Sequence, residues 1–284
     1  FCRFALENGL TANETRIMDN LGIDIIHYPF FIFHFLMNFT ILRFDELEST
    51  NTEAANQARR GAGEGLCVVA RRQTAGRGRH GREWISEKDA GLYFRLVLRP
   101  KIEARFLPLI TLTSAVAVFE TLGEFGLKPD IKWANDVHVR ERKICGILAE
   151  TCETNLGLAI VAGIGINLKS SSFPPELKET AASIEDETNR IIGVDKLLQI
   201  LTHYLSMYCE ILYGEDGAEN IRNEWTKRSS YAFGKEVRVR LENNETIYGA
   251  TRGIEADGAL RIEQADGAIK IVRAGEVEKL RLRI

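Results

Sequence analysis

The sequence lacks the features that mark several common protein classes. Its five cysteines form no Cys-x-x-Cys pair, which argues against a zinc or redox motif and favours buried free thiols in a reducing cytoplasm. The net charge is only −3, so no general electrostatic attraction to nucleic acid is indicated. No Gly-x-x-x-x-Gly-Lys-Ser/Thr motif occurs, so any nucleotide would be held by something other than a Walker loop. A functional site with positive charge must therefore be local.

The N-terminal region contains an apolar stretch that is rich in aromatic residues. Residues 23–39 are rich in aromatic side chains but are interrupted by acidic, histidine and proline residues, and they are too short for a secure membrane span. They also lack the basic start and cleavage site of a signal peptide. We expect residues 1–36 to be an extension outside the working domain; the alternative is a short membrane or partner anchor.

Apolar periodicity predicts an α+β fold with a largely antiparallel mixed sheet in residues 37–230. The predicted strands are 40–44, 66–70, 92–98, 130–133, 143–150 and 156–168, and the predicted helices run to about residue 60, over about 105–125 and around 197–211. Within 92–98, leucine and phenylalanine alternate with Tyr93, Arg95 and Val97, which predicts a half-buried strand. Residues 231–284 contain short β-rich runs separated by Asp-Gly turns, which predicts a small β-barrel domain.

The most informative segment is a long polar loop at residues 71–90. Its first part, RRQTAGRGRHGR, holds five arginines, three glycines and no acidic residue. Glycine lets backbone N–H groups fold around an anion, and the guanidinium group matches phosphate or carboxylate oxygens. The segment therefore predicts a loop that orders around a phosphate-bearing ligand. The alternatives are a solvated basic loop or a nucleic-acid contact.

Three shorter motifs are ambiguous when each is taken alone. Lys132 ends an apolar strand beside Trp133 and could offset charge on a transferring group, but it could equally be a surface lysine before a turn. The glycines at 163 and 165 permit close approach of a ligand or simply tight strand packing. The polar turn at 48–51 offers hydroxyl and amide groups to a ligand, or caps the following helix through Thr50 or Asn51.

In this order and at these distances, the motifs resemble those of the biotin–protein ligases from about residue 41 onward. The matching pieces are STN at 49–51, QTAGRGRHGREW at 73–84, KWANDV at 132–137, KICGIL at 143–148 and GIGIN at 163–167. The resemblance implies a class II synthetase-like biotin/lipoate ligase domain followed by an SH3-like barrel. It also implies the form without an N-terminal helix-turn-helix domain, because residues 1–40 show no two-helix pattern with a turn, and DNA binding is not expected.

The resemblance assigns roles to particular residues. It implies that biotin is contacted by Ser49, Thr50, Asn51 and Gln73. It implies that a loop containing Arg77, Gly78 and Arg79 closes over biotin and the adenylate phosphate. It also implies that Lys143 and Gly146 line the biotin pocket, with Gly165 and Asn167 as weaker matches. Lys132 matches a lysine near the biotin carboxylate and α-phosphate, so Lys132 and Arg79 are the catalytic candidates. His80 and Ala134 depart from the family, where arginine and proline are common. Trp84 is interpreted as a loop-anchoring aromatic, with ligand stacking as the alternative.

The implied reaction is ATP-dependent formation of biotinyl-5′-AMP and transfer of biotin to a lysine. The implied partner is the biotin carboxyl carrier protein domain of acetyl-CoA carboxylase or a related carboxylase, and a homodimer is possible. ATP and biotin are the expected substrates, and Mg²⁺ is expected to arrive with ATP because the sequence shows no fixed metal site. We expect a cytoplasmic protein without membrane or nucleic-acid partners. The alternatives are a lipoate-type ligase and a non-catalytic biotin-binding regulator.

Overall fold

The computed structural model describes residues 15–18, 24–27, 37–241, 243 and 245–279, and its larger part is built on one nine-stranded sheet. The strands are β1 (Thr15–Met18), β2 (Asp24–His27), β3 (Thr40–Phe44), β4 (Leu66–Ala70), β5 (Gly91–Leu98), β6 (Pro129–Lys132), β7 (Asp136–Val139), β8 (Arg142–Thr154) and β9 (Gly157–Asn167). Their order is β1-β2-β3-β4-β5-β9-β8-β7-β6. Only β3 and β4 are parallel, so the predicted α+β class with a largely antiparallel sheet is confirmed.

Five helices accompany this sheet. They are α1 (Thr50–Arg59), α2 (Leu109–Gly123), α3 (Ile184–Thr188), α4 (Val194–Tyr213) and α5 (Gly217–Arg228). The main apolar core lies between α2, α4 and the sheet face that carries Leu92, Phe94 and Leu96. The segment 104–123 is the one stretch of the described chain that is long and apolar enough to cross a membrane, and most of it is buried in this core.

A second, antiparallel sheet of five strands follows. Its strands are β10 (Phe233–Arg240), β11 (Thr246–Ile254), β12 (Leu260–Glu263), β13 (Ile269–Val272) and β14 (Glu276–Lys279), in the order β13-β12-β11-β10-β14. Gly258 and Gly267 adopt left-handed backbone conformations in the Asp-Gly turns, which confirms the predicted hairpins. The SH3-like class and the domain boundaries at 36/37 and 230/231 stay predictions.

The prediction of a half-buried strand at 92–98 is wrong, because both faces of β5 are covered. Val97 packs in a second apolar cluster under α1 with Ala54, Ala58 and Val161. The side chain of Arg95 is only 4% exposed, because it lies beneath the loop at 71–90. Strand alternation predicted which side chains share a face, but the covering elements come from elsewhere in the chain.

The predicted N-terminal extension lies largely outside the described residues. At one edge of the large sheet β1 pairs with β2, and β2 pairs with β3. That residues 1–36 lie outside the working domain stays a prediction. Of the cysteines, Cys2 is outside the described residues, and the four described cysteines are free and buried, as expected.

Candidate functional site

The candidate site lies on the sheet face opposite the main core, along a row of cross-strand partners. Tyr93 of β5 is paired with Gly165 of β9, Gly165 with Gly146 of β8, Gly146 with Asp136 of β7, and Asp136 with Lys132 of β6. Cross-strand partners point to the same face of a sheet. The two glycines therefore leave a shallow groove that ends at Lys132, and the loop at 71–90 lies over it.

A buried hydrogen-bond network forms one wall of the groove. Gln73 Oε1 accepts hydrogen bonds from the backbone N–H of Thr50 at 2.8 Å and from the Thr50 hydroxyl at 2.7 Å. Gln73 Nε2 donates to Ser86 Oγ at 2.8 Å. Gln73 thus joins the start of α1 to the end of the loop, and the sequence motifs assigned no role to Ser86.

Two polar atoms in this wall have no partner in the described chain. They are Ser49 Oγ and Asn51 Oδ1, and both are buried. Helix capping does not explain these residues, because α1 begins at Thr50 with Ser49 as the N-cap residue, and the Ser49 side chain makes no cap hydrogen bond. Leaving a buried acceptor unsatisfied costs about 1–3 kcal/mol. Both atoms are therefore positioned to accept hydrogen bonds from a ligand.

Glu150 on β8 connects this wall to the arginine-rich loop. Its carboxylate accepts a hydrogen bond from Asn51 Nδ2 and lies 3.6 Å from the Arg77 guanidinium. The sequence motifs assigned no role to Glu150. The only available signal was its place at the end of the apolar run that contains Gly146.

The loop is anchored on its other side by Arg79 and Arg82. Arg79 Nη1 donates to Asn135 Oδ1 at 3.0 Å, and Asn135 Nδ2 donates to the Ile147 carbonyl at 3.0 Å. Arg82 forms a two-pronged ion pair with Glu276 of β14, one hydrogen bond being 2.9 Å long. The Arg82 guanidinium lowers the pKa of the Glu276 carboxyl below its usual range. The Arg82–Glu276 ion pair thereby joins the loop at 71–90 to the second sheet.

Trp84 fills the glycine-lined groove. A Cβ atom added at Gly146 or Gly165 would lie only 2.7 Å or 2.6 Å from the indole ring. The Lys143 ammonium group lies 5.4 Å from the centre of that ring and 2.8 Å from Asp136 Oδ1. The indole Nε1 is buried without a partner in the described chain. This geometry fits the loop-anchoring interpretation of Trp84.

Three cavities that share Arg79 as a lining residue lie next to the loop. The smallest, about 40 Å³, is lined by Gln73, Arg77, Gly78, Arg79, Lys143 and Gly146 of the predicted site residues, together with Trp84, Arg95, Gly163 and others. A second of about 410 Å³ extends from Arg79 past Trp133 to Gly258 and Arg273, where Trp133 Nε1 donates to the Gly258 carbonyl at 2.9 Å. The third, about 680 Å³, lies along the loop itself. Ser49, Thr50 and Asn51 line none of the three, but Thr50 is hydrogen-bonded to Gln73 and Asn51 to Glu150, which do.

Apart from the 49–51 turn and the weaker match Asn167, Lys132 is the one predicted site residue that lines none of these cavities. It lies at the end of the glycine row, and no carboxylate lies within 4 Å of its ammonium group in the described part of the chain. Its charge acts on His138 and Glu276 nearby. Asn167, a weaker match, donates to the Ala182 carbonyl at 3.0 Å and so has a packing role.

His138, beside Lys132, predicts a pH-dependent loss of stability. Its pKa is lowered to about 4, chiefly by burial; Lys132 and Lys143 act in the same direction, and Asp136 and Asp130 act against it. Because the folded-state pKa lies below the unfolded value, stability is fully present above the unfolded value of about 6.5 and is lost as the pH falls. We expect this group to cost about 2 kcal/mol between about pH 7 and about pH 5. Chemical denaturation of wild type and His138→Gln at both pH values measures it, and an equal loss in the variant would contradict it.

The described residues contain no group of three or more His, Cys, Asp or Glu side chains that could hold a metal ion. The positive groups instead converge on the loop and the groove. The arrangement can therefore bind an anion beneath the loop at 71–90, next to buried polar atoms that lack partners in the described chain.

Comparisons with known proteins give a consistent result. The profile of the biotin/lipoate A/B protein ligase family matches residues 43–167, and that of the biotin protein ligase C terminal domain matches residues 232–280. The biotin--[acetyl-CoA-carboxylase] ligase of Paracoccus denitrificans is 32% identical over 221 residues, covering 75% of this chain and 90% of that protein. The bifunctional ligase/repressor BirA of Bacillus subtilis is 37% identical over 225 residues, covering 77% and 68%. The structure of biotin protein ligase from Aquifex aeolicus in complex with biotin and ATP aligns with a TM-score of 0.74 at 28% identity, covering 85% and 98%.

Proposed function

Because this chain belongs to the biotin/lipoate A/B protein ligase family, we propose that it is a ligase that activates biotin as biotinyl-5′-AMP and transfers it to a carrier-protein lysine. The observation that carries the proposal is the pair of unpartnered buried acceptors, Ser49 Oγ and Asn51 Oδ1, beside a groove under an arginine-rich loop. The ureido ring of biotin offers two N–H groups that such acceptors can satisfy.

The first step joins two anions. The biotin carboxylate attacks the α-phosphorus of ATP, the P–O bond to the β-phosphate breaks, and pyrophosphate leaves. Two like charges about 4 Å apart repel by about 1–4 kcal/mol at effective dielectric constants of 80 to 20. Lys132, at the end of the groove, is proposed to offset this repulsion and the charge of the transition state. Mg²⁺ is proposed to arrive with the nucleotide.

The second step transfers the biotinyl group. The carrier lysine amine attacks the acyl carbon, the bond to the phosphate oxygen breaks, and AMP leaves. The mixed anhydride must be kept from water until the carrier binds, and the loop is the proposed cover. Its contacts at Arg77–Glu150 and Arg79–Asn135 support this, because they tie the loop to both sides of the groove. The cavity of about 410 Å³ next to Trp133 and Arg273 is the proposed place for the nucleotide.

Transfer of labelled biotin to the carrier domain of acetyl-CoA carboxylase tests the function. We expect labelling with ATP present and none with ATP absent, together with biotin-dependent exchange of pyrophosphate into ATP. Tight biotin binding without exchange would support the non-catalytic regulator instead. The carrier domain with its target lysine replaced by arginine is the matched control and should remain unlabelled.

A lipoate-type ligase is the second candidate in the same family. The dithiolane ring of lipoate has no N–H group, so it would leave Ser49 Oγ and Asn51 Oδ1 unpaired and buried. Those two atoms therefore favour biotin. Pyrophosphate exchange measured with biotin, lipoate and octanoate distinguishes the candidates, and faster exchange with lipoate would reverse the assignment.

Trp84 predicts a fluorescence signal for biotin binding. Its indole occupies the groove and leaves only about 40 Å³ beside it, so the ring must shift when the acyl chain enters. We expect biotin alone to change the intrinsic fluorescence in a saturable way. The other two tryptophans, Trp133 and Trp225, are buried away from the groove glycines. The signal should therefore be lost in Trp84→Phe, and a signal unchanged in that variant would contradict the proposed movement.

A further inference from the structure

Arg95 is a buried charge that the reaction steps above do not use. It lies in the middle of β5, its side chain is 4% exposed, and its Nη1 donates only to the adjacent Phe94 carbonyl at 2.9 Å. In the described part of the chain its Nε–H has no partner, and no carboxylate lies within 4 Å of the guanidinium group. Burying a charged group without a partner is unfavourable, so the residue requires an explanation.

The side chain is directed into the site. It lies directly over Gly163 of β9, where an added Cβ atom would be 2.4 Å from the guanidinium carbon. The space around it is the cavity that Gln73 and Trp84 also line. Glycine at 163 therefore makes room for Arg95 on the same face as the groove. A role confined to packing would not need the charge.

The charge persists in the buried state. The pKa of Arg95 is lowered to about 10, chiefly by burial; the nearby Glu150 carboxylate acts against this shift and Arg77 adds to it. The guanidinium group is thus protonated at neutral pH, and it can only donate hydrogen bonds. The other buried atoms without partners in the described part of this region are two that can accept, Ser49 Oγ and Asn51 Oδ1, and one that can only donate, Trp84 Nε1.

We propose that Arg95 is a specificity-determining residue that donates its Nε–H to the carbonyl oxygen of the substrate's ureido ring. A cyclic urea has one carbonyl flanked by two N–H groups. The groove and its wall hold two buried acceptors without partners in the described chain, Ser49 Oγ and Asn51 Oδ1, and two buried donors without partners, Arg95 Nε and Trp84 Nε1. Of the two donors, only Arg95 carries a charge. The inference rests on the proposed function, since it names the groups that recognise biotin's ring. Ser49 and Asn51 accept the two N–H groups, and Arg95 completes the set.

Two biotin analogues test the assignment. In 2-iminobiotin a nitrogen replaces the carbonyl oxygen of the ureido group. The ring is then a cyclic guanidinium cation, which Arg95 would repel. Desthiobiotin keeps the ureido group and lacks the sulfur. We expect the wild-type enzyme to reject 2-iminobiotin strongly in pyrophosphate exchange. Arg95→Leu should raise the KM for biotin by about 10- to 100-fold, the effect of one hydrogen bond to a charged group, and change kcat much less.

The decisive measured quantity is kcat/KM for 2-iminobiotin divided by kcat/KM for biotin. Arg95→Leu should raise this ratio at least about tenfold by removing the repulsion, whereas Arg95→Lys should keep the rejection because it keeps the charge. The desthiobiotin-to-biotin ratio should not change in either variant. Arg95→Gln replaces the leucine variant if the latter does not fold.

Arg99→Leu is the matched control. Arg99 follows the same strand but donates to the carbonyls of Ala58 and Ala62 behind α1, so its loss should lower stability and leave both ratios at wild-type values. Absence of any biotin-dependent exchange in wild type would overturn the proposed function. Two outcomes would overturn this inference alone, provided that the wild type shows normal biotin-dependent exchange. In the first, Arg95→Leu leaves the 2-iminobiotin-to-biotin ratio of kcat/KM unchanged. In the second, it changes only the desthiobiotin-to-biotin ratio.

Discussion

Replacing Lys132 by alanine is expected to slow formation of the adenylate by ~10²–10³, the usual effect of losing one electrostatic stabiliser of a transition state. Lys132 ends the row of cross-strand partners that contains the two groove glycines. Lys143, the other lysine of this region, is already paired with Asp136 at 2.8 Å, whereas Lys132 has no carboxylate within 4 Å in the described part of the chain. Of the two lysines, Lys132 is therefore the one whose charge is available to an incoming anion.

The measurement is the pre-steady-state release of pyrophosphate from enzyme mixed with biotin and ATP. The binding of biotin alone should change little, because the effect falls on the charge that develops during reaction. Lys128→Ala is the matched control, since Lys128 lies just before the same strand and is exposed. A burst rate in Lys132→Ala close to that of wild type would remove Lys132 from the mechanism.

Replacing Arg79 by alanine is expected to release the adenylate before transfer. Arg79 holds the loop to Asn135, which in turn donates to the backbone of β8. It also lines all three cavities around the loop. Loss of these hydrogen bonds should raise the adenylate dissociation rate by about 10- to 100-fold and allow non-specific labelling of lysines in other proteins.

The dissociation rate of labelled adenylate and the labelling of a bystander protein such as serum albumin measure this effect. Arg72→Ala is the control, because Arg72 pairs with Glu46 on the surface at the start of the same loop and should leave both quantities unchanged. An adenylate dissociation rate in Arg79→Ala equal to that of wild type would show that the loop does not act as the cover. Asn135→Ala should reproduce part of the Arg79 effect, since it removes the acceptor.

Several features of the site followed from local sequence. The motifs at 49–51, 73–84 and 143–148 predicted a polar turn, a mobile anion-binding loop and a pocket-lining strand, and the structure brings residues of all three into one region. Lys132 was predicted to face the same site, and its register places it at the end of the groove. The roles of these residues in catalysis stay predictions that the experiments above test.

Other features depended on contacts between distant parts of the chain. Glu150 became part of the site only because α1 and the loop both reach β8, and Glu276 only because β14 lies beside Arg82. The Arg95 side chain was assigned to the outer face of a half-buried strand, where water would form hydrogen bonds with its guanidinium group. The loop that removes it from solvent begins more than twenty residues earlier in the chain.

The sequence by itself determined the order of the central strands of the large sheet and of helices α1, α2 and α4, the glycines that permit close approach, and the motifs that indicate this family. These properties depend on neighbouring residues, because periodicity and backbone conformation are local. Only the tertiary structure decided which buried polar atoms lack partners, and so which groups await a ligand. Whether Ser49, Asn51 or Arg95 is satisfied depends on atoms that sequence-distant elements bring within hydrogen-bonding distance.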